Sequence, residues 1–172
     1  GRGRHSGGSF GGANVSYGFD AAGFRRLRTG AGQTTHYRLA GLYETTSSGT
    51  ITNTDTGGPA GDLAHYAGPP ASGSAVSFLY YSGHGDLAAE ANTSGTRTAA
   101  YTYDPFGALR SGAVPSNSTS ERWAGQSDKK TDSASSLIEL GSRQYDPALG
   151  RFLSVDPIEG GSANLYDYAN QD

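Results

Sequence analysis

The sequence predicts an all-β fold of consecutive antiparallel β-hairpins in one long, curved sheet. Turn signals recur about every ten residues, which is typical of short strands joined by tight turns. Of the 172 residues, 27 are Gly and 11 are Tyr. Glycine suits the turns, whereas Tyr and Thr suit the pleated, half-buried faces of strands. No long stretch carries the apolar spacing of a helix.

The most informative stretch runs from Arg143 to Asp156. Residues 137–145 are predicted to form a strand, followed by a tight turn over residues 146–150 and a returning strand over residues 151–155. The side chain of Asp146 can accept a hydrogen bond from the backbone N–H two residues further along, and Gly150 tolerates the backbone conformation that the turn requires. This hairpin would bring Arg143 and Asp156 together among aromatic residues. Because burying either charge alone is costly, the two are predicted to pair or to do chemistry.

The same aromatic-Asp-Gly unit occurs twice earlier in the chain. Tyr17-Gly18-Phe19-Asp20 leads to Gly23, and Tyr101-Thr102-Tyr103-Asp104 leads to Gly107. Repetition of one hairpin unit is typical of an array in which each unit buries its face against its neighbours. Each Asp begins a turn that the Gly closes, so the sequence predicts structural turns at Asp20–Gly23, Asp104–Gly107 and Asp146–Gly150.

Further hairpins are predicted between these units. Residues 34–39 are predicted to pair with 42–46, and residues 87–92 with 96–103. Residues 45–54 are predicted to form a hairpin by themselves, and residues 77–81 a single strand. Stretches rich in Gly, Pro, Ser and Thr predict loops at residues 54–61, 68–74 and 111–120. Residues 128–136 are polar enough to be a hairpin tip.

The composition argues against several classes of function. A net charge of -3 does not call for nucleic acid or an anionic membrane, and no apolar run reaches the roughly 20 residues of a membrane span. The absence of Cys excludes disulfides and thiolate zinc sites. His84 has no second ligand cluster at metal spacing, and His5, His36 and His65 are too scattered to indicate a site. No Ser-His-Asp order with nucleophile-elbow glycines, phosphate loop or dinucleotide fingerprint is present, so no cofactor or metal is expected.

Three motifs occur in an order that resembles the Rhs (YD-repeat) family. They are Tyr101-Thr102-Tyr103-Asp104-Pro105-Phe106-Gly107, the stretch from Arg143 to Ile158 that contains Tyr145-Asp146-Pro147 and Ser154-Val155-Asp156-Pro157, and Asn164-Leu165-Tyr166-Asp167-Tyr168. The resemblance covers residues 15–172 and is strongest over 125–156. It divides the chain into a flexible Gly/Arg-rich segment (1–13), a strip of YD-repeat hairpins (14–120) and a segment similar to the Rhs repeat-associated core (121–172).

The resemblance implies a structural role in a secreted polymorphic toxin. In that family the repeats form a hollow shell around a toxin domain encoded downstream, and the core segment closes one end. The core is also an aspartyl autoprotease, whose essential Arg and first Asp correspond to Arg143 and Asp156. Its second Asp would lie beyond Asp172. The resemblance therefore implies catalysis by the parent protein, and not by these 172 residues alone.

Alternatives stay open at the level of sequence. Arg143 and Asp156 could form only a hairpin salt bridge, and the hairpins could build an extracellular or cell-surface interaction module or a self-assembling fibre without a toxin. The chain lacks an initiator Met and is interpreted as a piece of a longer protein, secreted or at the cell surface. Open sheet edges predict association with the rest of the shell or with further copies.

Overall fold

The computed structural model describes residues 6–10, 13–39, 42–58, 61–70, 76–116, 118–156 and 164–168. Ten strands form one antiparallel sheet in which the order in space equals the order in the chain. They are β1 (Gly7–Phe10), β2 (Ala13–Phe19), β3 (Arg25–Gly30), β4 (Gln33–Arg38), β5 (Tyr43–Thr45), β6 (Ile51–Gly58), β7 (Gly61–Tyr66), β8 (Val76–Tyr81), β9 (Leu87–Ala91) and β10 (Arg97–Ala100). Each strand pairs with the next, so the prediction of an all-β fold of consecutive antiparallel hairpins is confirmed.

The remaining strands form two small sheets. β11 (Thr102–Tyr103) pairs with β12 (Leu109–Ser111), and β13 (Ile138–Leu140), β14 (Arg143–Asp146) and β15 (Arg151–Phe152) form a three-stranded sheet. A short 3-10 turn at Gly125–Ser127 lies between them in the chain. In the ranges that the structure describes, no helix has the length and apolarity that a membrane crossing requires.

Two apolar clusters hold the C-terminal half of the fold together. The first cluster lies along β8 to β10 and consists of Leu79, Leu87, Ala99 and Tyr101. The second cluster joins Trp123 to three residues of the three-stranded sheet, Ile138, Tyr145 and Phe152. Tyr103 contacts both clusters. Tyr103 therefore joins the last repeat hairpin to the segment that follows it.

One predicted loop and one predicted strand differ from the structure. The described residues of the predicted loop at 54–61 lie in β6 and β7, where Thr56 pairs with Ala64 and Gly57 with Asp62. The abundance of Gly and Thr indicated a loop, but cross-strand pairing overrides this local preference. The strand predicted over residues 137–145 is in fact a hairpin of β13 and β14. Gly141, at φ +66°, lies in the turn between them.

Other boundaries also differ. Residues 7–10 pair with β2 as β1, although composition predicted a flexible segment there; residues 1–5 and 71–75 lie outside the described part. The strand predicted over 151–155 ends after Phe152, and Asp156 instead donates its N–H to the carbonyl of Leu165 at 2.9 Å. The loop predicted at 111–120 begins where β12 ends, at Ser111.

Candidate functional site

Arg143 and Asp156 lie at the hairpin that the sequence predicts to bring them together. Arg143 begins β14, the turn at residues 147–150 reverses the chain, and Asp156 follows β15. Arg143 Nη2 lies 3.0 Å from Asp156 Oδ2, and both side chains are more than four-fifths buried, with exposures of 18% and 17%. The arrangement is a partly desolvated ion pair, in which charge interactions are stronger than at an open surface.

Phe152 holds the guanidinium of Arg143 in place from the returning strand. Arg143 Cζ lies 3.5 Å from the centroid of the Phe152 ring, the distance of a cation–π contact. One guanidinium nitrogen, Nη1, is buried and has no hydrogen-bond partner among the described residues. Arg143 therefore keeps one donor beyond the ion pair with Asp156.

A cluster of aromatic rings packs against this hairpin. Trp123 stacks on Tyr145 with ring centroids 5.8 Å apart and planes 16° apart. The ring centroid of Tyr168 lies 5.2 Å from that of Tyr145 and 6.0 Å from that of Phe152. Trp123 and Tyr145 are 3% and 0% exposed, so the ion pair rests on a rigid apolar base.

The three aspartates of the repeated unit begin turns. Asp104 Oδ1 accepts the N–H groups of Phe106 and Ala108, and Asp146 Oδ1 accepts that of Ala148, each at 2.9 Å. Asp20 Oδ1 accepts the N–H of Phe24, and its Oδ2 contacts Arg26. The glycines that close the turns all have positive φ: Gly23 at 94°, Gly107 at 90° and Gly150 at 64°. These residues shape the hairpins, and the turn from Asp146 to Gly150 lies between Arg143 and Asp156 in the chain.

A buried set of charges, here called the ionic anchor, joins residues 121–139 to the sheet. Its centre is Lys130, 6% exposed, whose Nζ lies 2.6 Å from Glu121 Oε1 and 3.9 Å from Asp55 Oδ2 on β6. Asp55 also contacts His65 on β7, with 2.6 Å between Oδ1 and Nδ1. Burial acts to lower the pKa of Lys130, but the carboxylates of Glu121 and Asp55 outweigh it and raise this pKa above its ordinary value. Lys130 is therefore a buried cation.

Two further ion pairs complete the ionic anchor at β3. Arg28 binds Asp132 through two guanidinium nitrogens, and Arg25 Nε lies 2.8 Å from Glu139 Oε2. Burial acts to raise the pKa of Asp132, but the hydrogen bonds from Arg28 and from the N–H groups of Ser135 and Ala134 lower it to about 2. The ionic anchor thus spans β3, β6 and β7 on one side and residues 121–139 on the other.

The ionic anchor contains buried groups that the sequence pattern did not indicate. Residues 128–136, predicted as a polar hairpin tip, include the buried Lys130 and Asp132. His65, one of the histidines too scattered in the sequence to indicate a site, is 3% exposed and paired with Asp55. One signal was present: the only two lysines of the chain, Lys129 and Lys130, stand together in this segment. Asp55, which Lys130 contacts, lies far away in the sequence on β6, so local pattern cannot identify it.

The remaining histidine of interest, His84, lies at an exposed turn. Its Nδ1 contacts the carboxylate of Asp86 at 3.0 Å, and Asp86 Oδ1 also accepts the N–H of Ala124. Within the described ranges, no group of three or more His, Asp and Glu side chains is arranged to hold a metal ion.

No family model matches the chain. Two curated proteins resemble it in sequence: the tRNA3(Ser)-specific nuclease WapA of Bacillus spizizenii, 33% identical over 163 residues, and the tRNA nuclease WapA of Bacillus subtilis, 32% identical over 163 residues. Each alignment covers 89% of this chain but only 7% of the relative. The chain therefore corresponds to a small part of these nucleases.

Solved structures resemble the fold of the chain. The crystal structure of TcdB2-TccC3 superposes with a TM-score of 0.69 at 22% identity, over 92% of this chain and 9% of that one. TcdB2-TccC3-Cdc42 gives the same TM-score and identity over 8% of its chain. At this identity the likeness concerns the fold alone. By its sequence likeness to WapA and its fold likeness to TccC3, the chain is Rhs-like.

Proposed function

We propose that the chain is a structural shell segment of a secreted Rhs-type polymorphic toxin and helps to enclose a toxin domain that follows it in the parent protein. The observation that carries the proposal is the ten-stranded sheet in chain order, with residues 121–139 anchored to it by buried charges. Such a strip can be extended by further hairpins at each edge, because an edge strand offers unpaired backbone groups. Secretion or display at the cell surface belongs to the same proposal.

Protease protection of the parent protein tests enclosure. We expect the toxin domain to resist a nonspecific protease within the intact parent and to become sensitive when urea opens the shell, because cleavage requires access to an extended backbone. The matched control is the toxin domain produced alone. If that domain is digested at the same rate alone and within the parent, it is not enclosed.

A second function, self-cleavage of the parent, is supported by the Arg143–Asp156 geometry. Asp156 is partly desolvated beside Arg143, and Arg143 keeps a buried donor at Nη1. In an aspartyl mechanism one carboxylate accepts a proton from water while a second, protonated carboxyl donates to the scissile carbonyl. Arg143 Nη1 would stabilise the oxyanion or hold one carboxylate ionised. The second carboxyl would come from the parent protein beyond this chain.

Replacing Asp156 with Asn in the parent distinguishes a catalytic pair from a salt bridge. Asn keeps the size of Asp but cannot exchange the proton, so we expect cleavage to fall by at least about a hundredfold, the scale of acid–base catalysis, while the protein stays folded. Intact mass measures cleavage and a thermal melt measures folding. Asp20→Asn, at an exposed ion pair with Arg26, is the matched control. Normal cleavage by Asp156→Asn would leave Asp156 with a structural role alone.

A further inference from the structure

Residues 164–168, here called the docked segment, lie alongside β15 and the residues that follow it. The N–H of Phe152 donates to the carbonyl of Tyr166, and the N–H of Asp156 donates to the carbonyl of Leu165, each at 2.9 Å. β15 is an edge strand of its three-stranded sheet, so its outward backbone groups need partners from elsewhere. The docked segment supplies one acceptor to the strand and one to Asp156.

The docked segment is braced internally and bridged to β15. Asn164 Nδ2 donates to Asp167 Oδ1 at 2.8 Å, and the N–H of Asp167 donates to the carbonyl of Asn164 at 3.1 Å. Asp167 also pairs with Arg151 as an antiparallel bridge. Because these bonds hold the segment in a turn, its contacts with β15 form together.

An aromatic contact links the docked segment to Arg143. The ring centroid of Tyr168 lies 6.0 Å from that of Phe152 and 5.2 Å from that of Tyr145. The other neighbour of the Phe152 ring is the guanidinium of Arg143, whose Cζ lies 3.5 Å from the ring centroid, a distance of van der Waals contact. Loss of the Tyr168 ring would therefore loosen the ring against which the guanidinium lies.

Both members of the ion pair thus depend on the docked segment for their position. Asp156 lies beyond the end of β15 at Phe152, and its N–H bond to Leu165 fixes its backbone. Arg143 has a long, flexible side chain, which the Phe152 ring restricts. Groups that take part in a reaction must be held within about 0.5 Å of their working positions, and supporting contacts of this kind hold them.

We propose that docking of residues 164–168 positions the Arg143–Asp156 pair for self-cleavage, with Tyr168 as the positioning residue. The proposal rests on the self-cleavage function of the parent protein. A parent chain whose segment has not docked holds the pair loosely and stays uncleaved. The docked segment also leads the chain away from Asp156 toward the residues of the parent that supply the second carboxyl, so one docking event sets both sides of the reaction.

Tyr168→Ala in the parent tests the ring contact. Without the ring Phe152 is less restrained, so we expect self-cleavage to slow at least about tenfold, the scale of a small misplacement of reacting groups. Intact mass follows cleavage over time, and a thermal melt follows folding. Tyr168→Phe keeps the ring and should restore cleavage. Tyr80→Ala, which removes an exposed Tyr on β8, is the matched control and should cleave normally. If Tyr168→Ala does not fold, Tyr168→Leu takes its place here and in the next experiment.

A disulfide lock distinguishes positioning from a general loss of stability. Arg151 and Asp167 are partners in an antiparallel bridge, where Cα atoms lie about 4.5–5.5 Å apart, within the range of a disulfide. The chain has no Cys, so Arg151→Cys with Asp167→Cys in the Tyr168→Ala parent adds one defined cross-link to it. We expect this protein to stay uncleaved under reductant and to cleave at least about tenfold faster after oxidation. Thr29→Cys with Thr34→Cys, partners on β3 and β4, is the control lock and should not restore cleavage.

Three results would overturn the proposal. They are full-rate cleavage by Tyr168→Ala, no effect of oxidation on the lock across the docked segment, and equal restoration by the lock between β3 and β4. Failure of the self-cleavage function gives a different pattern. Normal cleavage by Asp156→Asn, or a parent that does not cleave itself, overturns both proposals. Full-rate cleavage by Tyr168→Ala beside an uncleaved Asp156→Asn overturns this one alone.

Discussion

Replacing Lys130 with Met should destabilise the fold by about 3–5 kcal/mol, the cost of removing one partner from a buried ion pair. Methionine fills a similar volume but leaves Glu121 and Asp55 without the cation that lies 2.6 and 3.9 Å from their oxygens. Urea denaturation followed by tryptophan fluorescence measures the loss, because Trp123 is the only tryptophan and is buried.

The neighbouring lysine provides the control for this experiment. Lys129→Met changes the same charge one residue away, where burial is only partial, and should alter stability by no more than about 0.5 kcal/mol. Adding Glu121→Gln to Lys130→Met should recover part of the lost stability, since it neutralises one of the two carboxylates that lost the lysine cation. Equal effects of the two lysine substitutions would contradict the assignment of Lys130 as the centre of the ionic anchor.

Gly107→Ala should cost about 3 kcal/mol or more, because a tight contact and backbone strain act together. A Cβ atom at residue 107 would lie 2.6 Å from Cδ2 of Trp123 and 2.9 Å from Cγ and Cε3 of the same ring. Trp123 is held by its contacts with Tyr145 and Tyr168, so it cannot move away freely. The overpacking adds to the strain of an alanine at φ +90°, and each effect costs about 1–3 kcal/mol.

Gly95 offers a control in an equivalent turn. Gly95 has φ +77° and donates its N–H to Asn92, as Gly107 does to Asp104, but a Cβ at residue 95 would meet no atom within 4 Å. Gly95→Ala should therefore cost only the backbone strain of about 1 kcal/mol. Thermal unfolding of both variants measures the difference. A similar melting temperature for the two would mean that residue 107 does not press against Trp123.

Local signals predicted the hairpins because local chemistry forms them. The Asp-to-Gly turns place Asp104 and Gly107 where the sequence indicates, and the turn from Asp146 to Gly150 brings Arg143 to Asp156 across thirteen residues. The catalytic role of that pair stays a prediction. Errors arose where composition competes with pairing, as in β6 and β7, whose Gly-rich ends are strands because neighbouring strands complete their hydrogen bonds.

The ionic anchor could not be predicted, because the ion pairs that join residues 121–139 to the sheet connect residues far apart in the sequence. Arg28 and Asp132 are 104 residues apart, and each occurs in a locally polar stretch typical of an exposed surface. Only the fold reveals that these stretches face each other.

The strand order of the large sheet has a consequence for how the protein is made. Every pairing from β1 to β10 joins consecutive strands, so each hairpin closes a short loop and can form as soon as its second strand leaves the ribosome. The ion pairs between β3 and residues 121–139, and the contact of Tyr17 with Ser135, close loops of about a hundred residues and must form last. Synthesis therefore lays down an open strip first, and residues 121–139 close it only after all ten strands exist.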